Sequence, residues 1–218
     1  MTLAIFDLDN TLLAGDSDHA WGDFLVAQGV VDGDDYRRAN DDFLRAYQNG
    51  TLEIRDYLAF ALRPLAQTPP ERLLALREQF MEACIRPMIL PQGQALVENH
   101  RRQGHQLLII TATNRFVTAP IAEALGIESL IATEPEMRDG LYTGQVAGVP
   151  SFREGKIERL EQWLATQEQD MQGAWFYSDS HNDLPLLERV DNPVAVDPDP
   201  TLEDTARARG WRIISLRD

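Results

Sequence analysis

The chain opens on four apolar residues, Leu3-Ala4-Ile5-Phe6, that stop at the polar run Asp7-Leu8-Asp9-Asn10-Thr11. A short unbroken apolar run before a turn predicts a strand buried on both faces, as in a parallel sheet. The two aspartates then fall at its C-terminal end, where open α/β sheets hold their ligands. From about 16 to 88 the apolar positions change to steps of three and four. Trp21, Phe24 and Leu25 form one such face, Tyr36, Ala39, Phe43 and Tyr47 a second, and Ile54, Tyr57, Leu58, Ala61, Leu62 and Leu65 a third. These are helix faces. Thr68-Pro69-Pro70-Glu71 predicts an N-cap with proline in the first turn, opening a helix to about Arg86. No strand is expected in this stretch.

Beyond about residue 89, strands and helices alternate. The pattern predicts a helix over 92–103, a strand over 106–110, a helix over 117–125 ended by Gly126 and a strand over 130–132. Lys156 then opens a helix with Ile157, Leu160 and Leu164 on one face, and strands follow at 174–177, 194–196 and 212–214. Asp139-Gly140 and Thr143-Gly144 read as hairpin turns. Such alternation predicts an α/β fold, a doubly wound (Rossmann-like) parallel sheet formed by residues 1–15 and 89–218. Residues 16–88 would be a helical cap domain inserted after the first strand.

Composition narrows the class. The 218 residues are 44% hydrophobic and 25% charged, which suits a globular domain with an insertion rather than a disordered chain. With 20 Lys+Arg against 35 Asp+Glu the net charge is −15. That argues against broad binding to nucleic acid or an anionic membrane. Leu107-Leu108-Ile109-Ile110 is too short to span a bilayer, and Asp7 and Asp9 interrupt the place of a signal peptide's apolar region. The lone Cys84 forms no internal disulfide and fits a reducing cytoplasm.

Four polar clusters fall at predicted strand ends or helix starts: Asp7-x-Asp9-x-Thr11, Thr111-Ala112-Thr113-Asn114, Lys156, and Asp179-Ser180-His181-Asn182-Asp183. Lys156 is the only lysine in the chain. The sheet can gather all four at one edge. Crowded carboxylates raise one another's pKa, and a hard cation with oxygen ligands such as Mg²⁺ relieves that repulsion. Such a cation, an ammonium and backbone N–H groups together suit a phosphate-like anion.

In these four motifs the chain resembles the haloacid dehalogenase (HAD) superfamily of phosphatases. In its cap, and in Val194-Ala195-Val196-Asp197-Pro198-Asp199-Pro200 with Gly210-Trp211, it resembles the phosphoserine-phosphatase-like branch, subfamily IB. The resemblance implies Asp7 as nucleophile, forming an aspartyl-phosphate, and Asp9 as the acid and base. It implies Mg²⁺ held by Asp7, the Asp9 carbonyl and Asp179, with Asp183 acting mostly through water. Thr111 and Ala112 would contact the phosphoryl group, Lys156 would pair with Asp7 and the phosphate, and Asn182 would order that neighbourhood. Asp16 stands where the branch has an acidic residue that meets a substrate amine. The second motif departs from the small Ser-Gly-Gly-like motif of phosphoserine phosphatases and is closer to a bacterial histidinol-phosphatase-like subgroup.

The implied enzyme is a Mg²⁺-dependent phosphoric monoester hydrolase of amino-acid biosynthesis. It would act in the cytoplasm, as monomer or homodimer, on a small amine-bearing phosphorylated metabolite such as histidinol phosphate or phosphoserine. A phosphotransferase of the same superfamily and a phospho-acceptor signalling module remain alternatives. Other residues carry plainer expectations. Asp183 should also cap the helix at Leu184, and Asp16 should cap the helix of Trp21. His19 is a candidate cap residue facing substrate, while His181, His100 and His105 read as loop or surface. Trp21, Phe24, Phe43, Tyr47 and Tyr57 read as cap core. Arg45, Arg55 and Arg115 are candidates for gripping a substrate carboxylate.

Overall fold

The computed structural model describes residues 1–167 and 169–217. Its main sheet has six parallel strands in the order β3-β2-β1-β6-β7-β8. They are β1 (Leu3–Phe6), β2 (Gln106–Asn114), β3 (Ser129–Thr133), β6 (Trp175–Ser178), β7 (Asn192–Val196) and β8 (Arg212–Ile214). Every residue of β1 is fully buried. Alternate side chains serve opposite faces, as the two-residue period of a strand demands. Ala4 and Phe6 join one core, Leu3 and Ile5 the other. With helices on both faces, only an unbroken apolar run suits this central strand.

Residues 16–88, after β1, carry α1 (Ser17–Ala27), α2 (Gly33–Gln48), α3 (Ile54–Ala61), α4 (Arg63–Gln67), α5 (Pro70–Phe80) and α6 (Arg86–Met88). The two ends of this stretch are tied together. Leu13 and Ile89 form an antiparallel bridge, flanked by Ala14 N to Met88 O (2.7 Å) and Leu90 N to Leu12 O (3.1 Å). The third apolar face is split between α3 and α4 where Pro64 enters near the first turn of α4. The helix expected to reach Arg86 breaks earlier, through a π-helical turn at Met81–Ile85. Pro87 has no N–H to offer the carbonyl four residues back, so the regular ladder cannot run on. Its N-cap is Pro69, not Thr68, and no side chain caps it. Trp21 packs edge-on to Phe80 (5.1 Å between centroids) and tilted on Phe116 (5.8 Å), joining these helices to the sheet domain.

The remaining helices are α7 (Pro91–Arg102), α8 (Arg115–Ala124), α9 (Glu154–Gln167), α10 (Leu184–Leu187) and α11 (Pro200–Arg209). A separate hairpin pairs β4 (Pro135–Arg138) with β5 (Leu141–Val146). Asp139 and Gly140, at φ 51° and 79°, form its two-residue turn as expected. Thr143-Gly144 is not a second turn but lies within β5. Gly144 takes φ +80° there, and a Cβ on it would stand 3.3 Å from that of Ala66 on α4.

Strand β2 outruns its predicted end at Ile110 by four residues. Its pairing with β3 shifts between Ile110 and Asn114, so Thr111, Ala112 and Thr113 sit on an irregular strand end. That bulge lies beside the ends of β1 and β6, the two strands that carry Asp7 and Asp179. Bulges commonly re-aim side chains in this way. No helix among the described residues is long and apolar enough to cross a membrane.

Candidate active site

Adjacency of β2, β1 and β6 brings three of the four polar clusters together at their C-terminal ends. The fourth arrives on the first turn of α9. There the Lys156 side chain is 2% exposed, with Nζ 2.8 Å from Asp7 Oδ1, 2.8 Å from Asp183 Oδ2 and 2.7 Å from Asp183 Oδ1. Ser178 Oγ donates to Asp183 Oδ2 at 2.7 Å. Asp183 therefore anchors the lysine. It holds the N-cap position of α10 but makes no side-chain capping bond there, its carboxylate being turned to Lys156 and Ser178. Ser180 caps the 3-10 turn His181–Asp183 just before α10, accepting from Asn182 N. Asp9 accepts from Ser17 N (2.6 Å) and Thr113 Oγ1 (2.8 Å). Thr11 Oγ1 donates to Asp179 Oδ1 (3.2 Å). Asp16 caps α1 as expected, accepting from the N–H groups of Asp18 (2.9 Å) and His19 (2.8 Å).

Above this floor lies a cavity with about 620 Å³ of atom-free space, partly continuous with solvent. Asp7, Asp9, Asp16, Thr111, Ala112 and Asp179 all line it. Asn182 does not. Its amide donates to Tyr47 O (3.1 Å) and Ser180 Oγ (3.2 Å) and accepts from Arg153 Nε (3.0 Å). Since Arg153 also donates to Gly50 O (2.6 Å), these two residues fasten the end of α2 to the sheet domain. His19 does line the cavity, its ring held by Asp41 at 2.9 Å.

Other expectations fail for packing reasons. Phe43, Tyr47 and Tyr57 line the cavity, leaving Trp21 and Phe24 in the core. Helix periodicity reports an apolar face without saying whether protein or a void covers it. Arg115 is bound to Glu134 and Leu130 O, Arg45 pairs with Asp42, and Arg55 stands away from this cavity. His100 is not at the surface but 3% exposed, bonded to Tyr177 Oη and His105 Nδ1 at 2.8 Å each. Asp18, Asn40 and Tyr57 were missed as wall residues. The signal for Asp18 was a second Asp-x-Asp pattern, Asp16-Ser17-Asp18, at a predicted helix start.

The family model for haloacid dehalogenase-like hydrolase matches residues 4–188. The chain belongs to the haloacid dehalogenase-like hydrolase family. A histidinol-phosphatase of Neisseria meningitidis serogroup C (strain 8013) is 46% identical to it over 219 residues, spanning 99% of each chain. A crystal structure of a protein with unknown function from Bordetella pertussis Tohama I superposes with TM-score 0.93 at 48% identity, covering 99% of this chain and 100% of that one. A phospho-aspartyl intermediate analogue of phosphoserine phosphatase superposes with TM-score 0.72, covering 99% of this chain and 93% of that one. At 16% identity that likeness is one of fold. This member of the family is a phosphatase, and its architecture is that of the phosphoserine-phosphatase-like branch.

The electrostatics of this HAD phosphatase follow from burial. Burial raises the carboxyl of Asp7 despite Lys156, with Asp183 and Asp9 adding repulsion. Asp179 stands well above the usual range through burial and the charges of Asp7 and Asp183. Burial, with the charge of Asp16, lifts Asp9 to about 6, and burial lifts Asp16 to about 6 and Asp18 to about 7. Burial alone would lower the Lys156 ammonium, but Asp183 and Asp7 outweigh it and hold the group above its ordinary value. So many desolvated oxygens against one ammonium fit a hard divalent cation. Among the described residues no three acidic or imidazole groups form a ready cage.

A stability prediction follows. A carboxyl raised by folding contributes stability below its unfolded value of 3.8, and this is lost as pH rises through 6 to 7. His100, lowered to about 4 by burial, works in the opposite direction, but alone. In EDTA the melting temperature should therefore fall from pH 5 to pH 7.5. Millimolar Mg²⁺ should raise it more at pH 7.5 than at pH 5. Equal Mg²⁺ increments in thermal melts at both pH values would contradict this account.

Proposed function

We propose that the protein hydrolyses small phosphomonoesters through an aspartyl-phosphate on Asp7, and that histidinol phosphate is the substrate type it fits best. The observation that carries the proposal is Asp7 at the floor of the cavity, paired with Lys156 buried behind it, with Asp9 on the same floor. One Asp7 oxygen is held by Lys156. The other would attack phosphorus, forming an O–P bond as the ester P–O bond breaks. Asp9 would give its proton to the leaving alcohol oxygen. It would then take a proton from the water that hydrolyses the acyl phosphate, releasing inorganic phosphate and restoring Asp7. A carboxyl at about 6 suits both directions near neutral pH.

Thr111 and Ala112 would contact phosphoryl oxygens, and Lys156 would offset charge that grows on them. Asp183 would position Lys156, and Asn182 would position the loop after α2. Asp7, Asp179 and the Asp9 carbonyl would hold Mg²⁺, with Asp183 reached through water; the ion would supply countercharge for the phosphate. Residues 16–88 would act as the cap that keeps bulky phosphoesters out. Asp16 on the cavity wall and the 46% identical histidinol-phosphatase support an amine-bearing substrate.

The test is direct. Purified protein with Mg²⁺ should release phosphate from p-nitrophenyl phosphate and, with much higher kcat/KM, from histidinol phosphate. EDTA should stop both. Undiminished rates in EDTA, or an equal kcat/KM for large phosphopeptides, would sink the proposal.

A further inference from the structure

The floor of the cavity suits a phosphate; the wall above it decides which alcohol that phosphate is carried on. Two carboxylates stand on this wall, Asp16 at the N-cap of α1 and Asp18 in its first turn. Asp18 Oδ2 accepts from Tyr57 Oη on α3 at 2.5 Å, and Asp18 Oδ1 accepts from Asn114 Nδ2 at the end of β2 at 3.2 Å. Both donors are neutral. They fix the carboxyl in place and oppose, without overcoming, the burial that lifts it to about 7, so that a positive or N–H-bearing group beside it draws out the ionised form. Asp16 beside it is likewise held by main-chain N–H groups. Among the described residues lining the cavity, none is Lys or Arg, and the ring of His19 is engaged by Asp41.

The wall around these carboxylates mixes apolar and aromatic side chains, Phe43, Tyr47 and Tyr57 contributing rings, with the polar His19 and Asn40. A substrate nitrogen placed here exchanges water for two carboxylates in a desolvated setting, where the attraction is strong. A substrate carboxylate placed here loses its water, finds no cation and meets two like charges.

We infer that Asp18, braced by Tyr57 and Asn114, is a specificity-determining residue. It receives a second positive or N–H-bearing group of the substrate, beyond the amine assigned to Asp16, and it turns away phosphomonoesters that carry a carboxylate. The inference rests on the phosphomonoesterase proposal above and deepens it. The substrate class becomes phosphate esters that carry an amine, a second basic or N–H-bearing group and no carboxylate. Tyr57 and Asn114 are positioning residues, acting through Asp18.

The experiment compares kcat/KM for histidinol phosphate, phosphoserine and phenyl phosphate, with Mg²⁺, in the wild type, Asp18→Asn and Tyr57→Phe. The wild type should favour histidinol phosphate over phosphoserine by about 100-fold or more. In Asp18→Asn the ratio of histidinol phosphate to phenyl phosphate should fall at least about tenfold, mainly through KM. The gap to phosphoserine should narrow with it. Tyr57→Phe, which removes one hydroxyl, should shift the ratios the same way by less, and it decides the matter if Asp18→Asn does not fold. Unchanged ratios in the folded variants, or a wild type that prefers phosphoserine, would overturn the inference and leave the phosphatase proposal standing. A wild type that hydrolyses none of the three would overturn both.

Discussion

Asp7→Asn should abolish hydrolysis of every phosphomonoester the protein accepts, by at least about 10⁴-fold in kcat, and should raise the melting temperature at neutral pH. The first effect follows from chemistry. An amide oxygen is a poor nucleophile toward phosphorus, and no other cavity carboxylate shares Asp7's contact with Lys156. The second follows from burial. The Asp7 side chain is 6% exposed, and its carboxyl is raised even though Lys156 lies 2.8 Å away. Ionising it near pH 7 therefore costs the fold more than the ammonium returns. Asparagine keeps an acceptor oxygen for Lys156, which retains Asp183 as its counter-ion. The gain should shrink as pH falls from about 7 toward 4, because the wild-type carboxyl takes up its proton at the top of that range. Phosphate release and thermal melts on one preparation check both halves. A kcat within about tenfold of wild type would remove Asp7 as nucleophile. A lower melting temperature at pH 7.5 would mean that the Lys156 attraction exceeds the burial cost. Activity and stability are here expected to oppose each other, as they commonly do at catalytic charges.

Which parts of this molecule were legible in the chain depends on how local their causes are. β1 was plain, because an unbroken apolar run ending in Asp7 has one economical meaning in an α/β fold. So was the turn at Asp139-Gly140, since consecutive left-handed residues leave a compositional mark. The bulge that carries β2 past Ile110 to Asn114 left no such mark, because it depends on pairing with β3. His100 read as polar and peripheral, yet Tyr177 Oη, which comes from a distant strand, satisfies it in the core. Gly144 looked like a turn residue, whereas the approach of α4 fixes its conformation.

The site divides along the same line. Residues at strand ends, such as Asp7, Thr111 and Asp179, were placed by topology alone. Asp16, at a helix start, was placed by capping logic. Asp18, Asn40 and Tyr57 come from separate helices and become one wall only when those helices pack. A periodic stripe marks Tyr57 as inward-facing, and only the tertiary structure shows that what lies inward is a cavity. The arginines make the converse point. Arg45, Arg55 and Arg115 were attractive because a carboxylate-bearing substrate would need one of them. Each is spent or stands elsewhere, which itself bears on the substrate.

Lys156→Arg should cost roughly 10²- to 10³-fold in kcat, although the charge is conserved. Nineteen of the chain's 20 basic residues are arginine, so the single lysine stands out against the composition. Its Nζ reaches three oxygens at once: Asp7 Oδ1 at 2.8 Å and both oxygens of Asp183 at 2.8 and 2.7 Å. An ammonium has three donors on one small centre and can serve three acceptors converging from different directions. A guanidinium is a planar fork suited to one carboxylate seen edge-on. At this position it would match Asp183 and misalign Asp7. The site has no room to absorb the difference, since Lys156 is 2% exposed and Nζ lies 5.9 Å from the centre of the Phe176 ring. Overpacking should cost about 1–3 kcal/mol of stability, leaving the fold intact at 25 °C. Lys156→Met provides the contrast. It fits the volume and removes the charge, leaving Asp7 and Asp183 buried without a counter-ion, at a cost of about 3–5 kcal/mol near neutral pH. That cost should ease on acidification, as the orphaned Asp7 carboxyl takes up a proton. The pair of variants separates charge from shape. If charge alone mattered, Lys156→Arg would work nearly as well as wild type and only Lys156→Met would fail. If the compact head matters, both lose activity, and only Lys156→Met loses most of its stability. The net charge of −15 should have little part in either outcome, because on the proposed mechanism the approaching phosphate would meet one ammonium held between two carboxylates, whose distance from each is set by the width of that head.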